Sequence, residues 1–266
     1  MTRLIKTTEE IDLIREGGRL LGHILAELAR AARPGTTSLE LEEMAVSMIE
    51  DCGGRPAFKG YRPSKKSRPF PTALCVSVND EIVHGPATPS RAFKEGDIVS
   101  IDIGMEYPYV RGEKGYYTDT ATTVGIGSIS KEAQRLLDGT RASLEAGLAI
   151  IKPGVTLLEL GTAIEKVLKG RKLGIIRDLV GHGVGLDVHE EPQVPNYAFR
   201  KGEFADLALE PGMVIAVEPM ATLDGDGIRG AGDGFTYSTA DGSLSAHFEH
   251  TILITEDGCE IMTEAR

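Results

Sequence analysis

Three acidic residues interrupt runs of apolar residues that otherwise have the pattern of buried strands. They are Asp102, Glu218 and Glu249, and each lies within or directly beside a stretch rich in Ile and Val. Carboxylates are rarely buried unless they are paired with a cation or coordinate a metal. A fold that buries these strands must therefore bring positive charge to them, and a metal centre accounts for all three acids together.

A glycine-rich segment supplies two histidines for such a centre. His182 and His189 lie seven residues apart within 181–192, where every second residue from 181 to 185 is glycine. The segment has no helical apolar stripe, and its glycines favour close approach of the backbone to another group. Imidazole beside carboxylates is typical of sites for Mn, Fe, Co or Zn, whereas Ca and Mg favour all-oxygen shells.

The composition is that of a folded globular protein. The chain has 266 residues, 41% of them hydrophobic and 26% charged, which argues against disorder. Its net charge of −11 argues against a nucleic-acid or anionic-membrane partner. Neither a transmembrane run nor a signal peptide is recognisable. Three cysteines without a CxxC spacing indicate a reducing compartment. We therefore expect a cytoplasmic protein.

Local signals predict alternating helices and strands. Capping boxes open the first two helices, because a Thr is followed three residues later by a Glu and then by apolar residues at helical spacing. We expect the strands that carry Asp102 and Asp119 to pair as a hairpin with a long connection. In chain order the predicted elements are a helix from Thr7 to about Arg33, a helix from Thr37 to the glycine pair 53–54, a proline-rich loop over 55–72, strands over 73–78, 98–103 and 118–124, and a helix over 131–151.

The second half of the chain repeats the plan of the first. Residues 33–41 match residues 152–160 at an offset of 119, and residues 96–102 match residues 212–218 at an offset of 116. Acids fall at matching positions in the strands of both copies. Self-similarity over this distance indicates two related α/β halves rather than a solenoid. It predicts one domain, 1–266, made of halves at about 7–125 and 130–262.

Two inward acids from each half converge if the halves are related by approximate two-fold symmetry. Four neighbouring carboxylates repel one another and resist ionisation without cations. Two divalent ions, about 3.5–4 Å apart, neutralise such a set and are shared by bridging carboxylates. With one imidazole added, the predicted site is a dinuclear centre suited to hydrolysis, built from Asp102, Asp119, His182, Glu218 and Glu249.

These residues, in this order and spacing, resemble the metal ligands of the methionine aminopeptidase and aminopeptidase P superfamily (peptidase family M24). The resemblance spans residues 7–262 and is strongest to bacterial type I methionine aminopeptidases, through the segments 77–85, 181–185, 189–194, 217–220 and 243–251. It implies the pita-bread (creatinase/aminopeptidase) fold, an α/β (α+β) fold with two pseudo-symmetric halves and a central antiparallel sheet backed by helices. It also implies a cytoplasmic monomer that removes the N-terminal methionine from nascent chains near the ribosome when the second residue is small.

The resemblance implies a role for each candidate residue. Glu218 is both a metal ligand and the general base, a pairing that places a proton acceptor beside the attacking water. His189 hydrogen-bonds the substrate peptide group, and His84 contacts the peptide nitrogen from the other side. The implied cofactors are two divalent ions (Co, Mn, Fe or Zn) and one monovalent cation near Asn79 and Ser245.

The methionine pocket is where the sequence departs from the family. Val188 stands where a phenylalanine is usual before the second histidine, and Phe235 stands where a tryptophan is usual. The connection between Asp102 and Asp119 is longer than usual, and the segment 62–69 resembles an insertion. These differences concern pocket size and selectivity rather than the metal chemistry. The pocket residues implied by the resemblance are Phe58, Tyr61, Cys75 and Phe235.

Other functions stay open at this point. A Xaa-Pro aminopeptidase or prolidase shares the five ligands but usually carries a large N-terminal domain, and only 83 residues precede His84 here. A non-catalytic pita-bread protein that binds a partner loses ligands that this chain keeps, and a purely structural metal site leaves His84 and His189 without a role. The 29-residue interval from His189 to Glu218 leaves no room for the helical insertion of type II enzymes.

Overall fold

A curled antiparallel sheet backed by helices forms the frame of the protein, as the sequence predicts. The computed structural model describes residues 3–265. Its helices are α1 (Thr8–Ala31), α2 (Ser38–Asp51), α3 (Lys131–Leu148) and α4 (Leu157–Gly170). Its strands are β1 (Arg55–Pro56), β2 (Leu74–Val78), β3 (Glu81–Val83), β4 (Ile98–Tyr107), β5 (Tyr116–Gly125), β6 (Gly174–Ile175), β7 (Gly181–Gly183), β8 (Glu190–Val194), β9 (Val214–Val217), β10 (Met220–Thr222), β11 (Ile228–Gly230), β12 (Tyr237–Thr239), β13 (Ser245–His247), β14 (Glu249–Ile254) and β15 (Cys259–Ile261).

The predicted helix starts are confirmed, because each capping box forms. Thr7, Thr37 and Thr156 each accept a hydrogen bond from the backbone N–H of the Glu three residues on, whose carboxylate returns to the cap backbone. These paired bonds satisfy backbone donors that a helix start leaves open. The helix predicted over 131–151 ends earlier, at Leu148. No helix within residues 3–265 is long and apolar enough to cross a membrane.

Within the described residues the main sheet has nine strands. Seven follow the order β1-β4-β5-β14-β9-β7-β8, while β2 pairs with β4 and β15 pairs with β14. The predicted β4–β5 hairpin is confirmed, but both strands run further than expected and pair from Ile98 with Gly125 to Tyr107 with Tyr116. The connection is therefore only the segment 108–115. The prediction that all of 55–72 is loop was wrong at Arg55 and Pro56, which add a short strand at the sheet edge, a position that proline tolerates.

The helices pack against the face of the sheet opposite the acids. Along β4, Val99, Ile101 and Ile103 alternate with Asp102 and join the core formed with α1 and α2. In the second half of the chain, Ile252 lies on the face of β14 opposite Glu249 and joins the core formed with α3 and α4. Because successive side chains of a strand point to opposite faces, these two cores leave the positions around Asp102 and Glu249 free. Helix α1 reaches the acid-bearing face only further along the sheet, where Ile14 packs with Val214 and Leu253.

Matching turns support the repeat that the sequence predicts. Gly35 and Gly154 both have positive φ, 91° and 90°, and each opens the segment before a capped helix. The N–H of Gly35 donates to the carbonyl of Phe93, and the N–H of Gly154 donates to that of Leu209, both over 2.9 Å. The division into halves at about 7–125 and 130–262 stays a prediction, and these paired bonds are consistent with it.

Candidate metal centre

Five neighbouring strands carry the five candidate ligands to one place. Asp102 lies on β4, Asp119 on β5 and Glu249 on β14; Glu218 directly follows β9, and His182 lies on β7. Ala121 of β5 is opposite Asp102 on one side and opposite Glu249 on the other. Residues opposite one another in an antiparallel sheet share a face, so the small alanine leaves a gap between the two carboxylates.

The ligand atoms lie close enough together to share ions. One oxygen from each of Asp102, Asp119 and Glu249 lies within 4.8 Å of the others, and the same holds for donor atoms of His182, Glu218 and Glu249. His182 Nε2 is 3.5 Å from Glu218 Oε1 and 3.8 Å from Asp119 Oδ2. His182 Nδ1 lies 2.9 Å from the carbonyl oxygen of Gly183, a contact that suits Nδ1–H and leaves the Nε2 lone pair facing the carboxylates.

The electrostatics of this group fit bound cations. Asp102 Oδ1 and Asp119 Oδ1 are buried and have no hydrogen-bond partner within the described residues. Burial raises the pKa of Asp102 to about 6. Burial, followed by repulsion from neighbouring carboxylates, raises the pKa of Asp119 and Glu249 well above the usual range. Buried carboxylates resist ionisation in this way when no positive charge lies beside them. Divalent ions bound among these oxygens would provide that charge.

Two histidines face the same space from either side. His84 follows β3 with a φ of 60°, a left-handed conformation that is uncommon for a residue other than glycine and that occurs at functional sites. His189 precedes β8, and its ring centre lies 4.4 Å from that of His182 and 5.0 Å from that of Tyr61. Both histidines are exposed to the cavity, yet the surrounding protein displaces enough water to lower the pKa of His84 and to lower the pKa of His189 to about 3. Both rings are therefore neutral at pH 7.

A cavity of about 400 Å³ opens onto the carboxylates, and every residue predicted from the sequence as a divalent-metal ligand, catalytic group or pocket residue lies along it. Its apolar end is formed by Phe58 and Cys75, with Val188 packed against them. Burial and the nearby Asp102 carboxylate raise the pKa of the Cys75 thiol well above its usual value, so this wall is uncharged. Phe235 closes the pocket in edge-to-face contact with Phe70 at 5.5 Å. The roles of these residues stay predictions.

Some cavity residues were not predicted. His247 is buried, with neither ring nitrogen in a hydrogen bond to any of the described residues, and its Nε2 lies 3.5 Å from Glu218 Oε2. Tyr237 places its ring 5.9 Å from that of His84. The signal for His247 was its place two residues before Glu249, which in extended backbone puts both on one side. No nearby sequence feature indicates that Tyr237 lies at the site, because β12 is brought close to His84 only by its pairing with β3.

Comparisons with known proteins agree with this geometry. Residues 12–256 match the model of metallopeptidase family M24. The chain is 41% identical to methionine aminopeptidase 1 of Bacillus subtilis, over 98% of each protein. A crystal structure of methionine aminopeptidase from Thermotoga maritima has a TM-score of 0.89 and 38% identity, and the match covers 99% of this chain and 100% of that one.

A prolidase from Pyrococcus horikoshii has a TM-score of 0.76 at 22% identity, and the match covers 99% of this chain but 64% of the prolidase. At this identity the likeness shows only that the two proteins share the pita-bread fold. The similarity to methionine aminopeptidases, in contrast, extends over nearly the full length of both chains in sequence and in structure. The chain belongs to metallopeptidase family M24, and bacterial methionine aminopeptidases are among its relatives there.

Proposed function

We propose that the protein removes the N-terminal methionine from peptides and nascent proteins by metal-dependent hydrolysis, with a preference for a small second residue. The observation that carries this proposal is the meeting of five metal donors, two neutral imidazoles and an apolar pocket in one cavity. The donors suit ions that activate water, and the aromatic and thiol groups of the apolar end suit a thioether side chain. The near-full-length similarity to methionine aminopeptidases supports the same substrate.

The proposed ligands of two divalent ions are Asp102, Asp119, His182, Glu218 and Glu249. When bound, such ions polarise a carbonyl group and make water more acidic. The mixed oxygen and nitrogen donors favour Mn, Co, Fe or Zn. We also propose a monovalent cation beside Asn79 and Ser245, where the carbonyl oxygens of Asn79 and Glu81 both lie near the Ser245 hydroxyl.

Glu218 is the proposed general base. Its backbone N–H donates to Asn196 Oδ1 over 3.2 Å, which fixes the chain just beyond β9. The side chain lies beside the other carboxylates, where it accepts a proton from the attacking water. A general base has to lie within hydrogen-bond reach of the proton that it takes, and a carboxylate that also binds metal meets this requirement.

His189 and His84 are proposed to hold the scissile peptide group from opposite sides. A neutral imidazole has one N–H to donate. From His189 that N–H stabilises the negative charge that develops on the peptide carbonyl oxygen, an interaction that strengthens in the transition state. His84, held in its left-handed conformation beside Tyr237, contacts the peptide nitrogen and assists proton transfer to it.

The proposed methionine pocket consists of Phe58, Tyr61, Cys75 and Phe235. Aromatic rings and a thiol suit a flexible, polarisable thioether. Phe58 depends on Gly104 of β4, since a Cβ added at Gly104 would lie 2.6 Å from its ring. The glycine therefore makes room for the ring at the bottom of the pocket.

Gly104→Ala is expected to displace Phe58 and raise the KM for a Met-Ala-Ser peptide. Overpacking of this kind also lowers the free energy of unfolding by about 1–3 kcal/mol. Steady-state kinetics and thermal unfolding measure the two effects. Gly230→Ala on β11 is the control, because an added Cβ there meets no atom within 4 Å. A variant with reduced stability but an unchanged KM would place Phe58 outside the methionine site.

The decisive assay compares Met-Ala-Ser with Ala-Pro-Ala, using enzyme supplied with Mn or Co and an EDTA control. We expect metal-dependent release of methionine and no cleavage of the proline peptide. Cleavage of Ala-Pro-Ala alone would assign the protein to the Xaa-Pro enzymes that share its fold, with Val188 and Phe235 as the sequence differences to examine. No turnover of either peptide by metal-loaded protein would favour a non-catalytic binding protein.

We further propose that the protein acts in the cytoplasm, as a monomer, on nascent chains near the ribosome. The family resemblance supports these three proposals. Sedimentation of purified protein with and without ribosomes tests the last two.

A further inference from the structure

Lys6 and Glu190 form an ion pair inside the protein, next to the proposed site. Lys6 Nζ lies 3.0 Å from Glu190 Oε1, and each side chain is only 1% exposed. Removing two charges from water is costly, and a well-packed apolar pair in the same place is often no less stable. Stability alone is therefore a weak reason for this pair, and its position relative to the site offers another.

The lysine end of the pair is held from outside the site. The backbone N–H of Lys6 donates to the carbonyl of Gly212 over 2.9 Å, and Ile5 forms a β-bridge with Met213 just before β9. The next residue, Thr7, caps α1. These contacts tie the segment before α1 to the main sheet. The backbone from which the Lys6 side chain extends is therefore held in place.

The glutamate end holds the loop that carries His189. This loop, residues 184–189, joins β7 to β8, and Glu190 Oε1 also accepts the backbone N–H of Leu186 over 2.9 Å. Glu190 is the residue after His189, and neighbouring side chains of extended backbone point in opposite directions. His189 faces the cavity, while Glu190 reaches inward to Lys6.

The loop also lies directly against the lysine stem. A Cβ added at Gly185 would lie 3.0 Å from Lys6 Cε and 2.9 Å from Ile14 Cδ1. The glycine has a φ of 125°, a conformation that side chains rarely adopt. Close packing and the ion pair therefore act on the same short stretch of backbone.

The His189 ring has little else to hold it. Within residues 3–265 neither of its nitrogens makes a hydrogen bond; the ring packs beside those of Tyr61 and His182, and one ring nitrogen lies within 4.8 Å of donor atoms of Asp119 and His182. Because no hydrogen bond holds the ring, the direction of the imidazole depends strongly on the backbone at 189 and 190. A contact that holds Glu190 in place therefore also restrains the backbone of His189.

We propose that Lys6 is a positioning residue, which acts through Glu190 to hold the His189 imidazole toward the substrate peptide group. The inference rests on the proposed role of His189. Catalysis is sensitive to such placement, since a displacement of about 1 Å can lower a rate by about a hundredfold.

Lys6→Met is expected to lower kcat for Met-Ala-Ser by about tenfold or more, with little change in KM. The affinity for Mn, measured by calorimetry, is expected to stay the same, because the five candidate ligands are untouched. Arg15→Met is the matched control. Arg15 also ties the N-terminal region to a distant strand, through Glu260, but at the surface, and its loss is expected to leave kcat unchanged.

Lys6→Met also leaves the buried carboxylate of Glu190 without its partner cation, which by itself lowers stability. A second variant therefore separates a loss of stability from a loss of His189 positioning. Lys6→Met with Glu190→Gln removes both charges and keeps an acceptor for the Leu186 N–H. We expect this double variant to regain most of the lost Tm while kcat stays low. Recovery of kcat together with Tm would overturn the inference and leave the pair a purely structural role.

A His189→Ala background gives the sharpest test. If Lys6 acts through His189, Lys6→Met has no further effect on the residual kcat of that background, within roughly twofold. The same tenfold loss in both backgrounds would overturn the inference and leave the proposed function intact. A His189→Ala variant with undiminished kcat would instead contradict the proposed role of His189, and the inference would fall with it.

Discussion

Glu218→Ala is expected to lower kcat/KM for Met-Ala-Ser by about a thousandfold or more, since it removes both a metal donor and the proposed proton acceptor. His189→Ala is expected to cost about a hundred- to a thousandfold through the lost hydrogen bond to the developing oxyanion. The fold survives both changes, because each side chain faces the cavity rather than the helical cores. Kinetics with Mn-loaded protein and circular dichroism measure the two effects.

Glu106→Gln is the control for these variants. Glu106 is also a buried carboxylate on β4, on the same face as Asp102, but it pairs with Arg55 and accepts the backbone N–H of Gly115. Its loss is expected to reduce stability and leave kcat/KM within about twofold of the original value, as for sites that do not interact. Substantial peptidase activity in Glu218→Ala would show that the general base lies elsewhere.

Removal of metal by EDTA is expected to abolish turnover and to lower Tm, and Mn or Co is expected to restore both. At an ion concentration a hundred times the Kd, binding stabilises the folded state by about 2.7 kcal/mol, which corresponds to roughly 5–10 °C for a chain of this size. The physical reason is that ions relieve the repulsion among the buried Asp102, Asp119 and Glu249. Scanning calorimetry with and without metal measures the shift.

Asp119→Asn separates this repulsion from a general effect of metal on the protein. It removes one of the crowded carboxylates, so the metal-free variant is expected to melt above the metal-free original. The same change removes a proposed ligand, so most of the metal-induced rise in Tm should disappear. Asp241→Asn, in an exposed turn, is expected to keep the full metal-induced rise. A Tm that does not respond to metal in the original protein would argue against the proposed ligand set.

The sequence predicted those features that local chemistry controls. Capping boxes at Thr7 and Thr37 marked helix starts because their hydrogen bonds join residues three apart. Asp102, Glu218 and Glu249 stood out because a carboxylate in an apolar strand needs a partner. Family resemblance supplied the pocket, since nothing in the spacing of Phe58 and Phe235 indicates that they meet in space.

Features that depend on distant pairing were beyond the reach of sequence patterns. The full extent of β4 and β5 depends on ten matched residue pairs, which continue past the last residue with a clear strand pattern. Lys6 carries no local mark of burial, and its partner lies 184 positions away (190 − 6). His247 was visible in the sequence, but its approach to Glu218 results from the pairing of β13 with β10, which places His247 opposite Met220, two residues after Glu218.

The proposed metal centre lies where the two predicted halves of the chain meet, and this bears on when a new copy of the protein becomes active. Asp102 and Asp119 come from the first half and the other three candidate ligands from the second, and β5 meets β14 between them. The proposed ions would join two distant parts of the chain as a removable crosslink. A newly made copy gains that crosslink only after residue 249 has been synthesised and β14 has docked. The proposed aminopeptidase would thus become active only after the chain through residue 249 has been synthesised and folded.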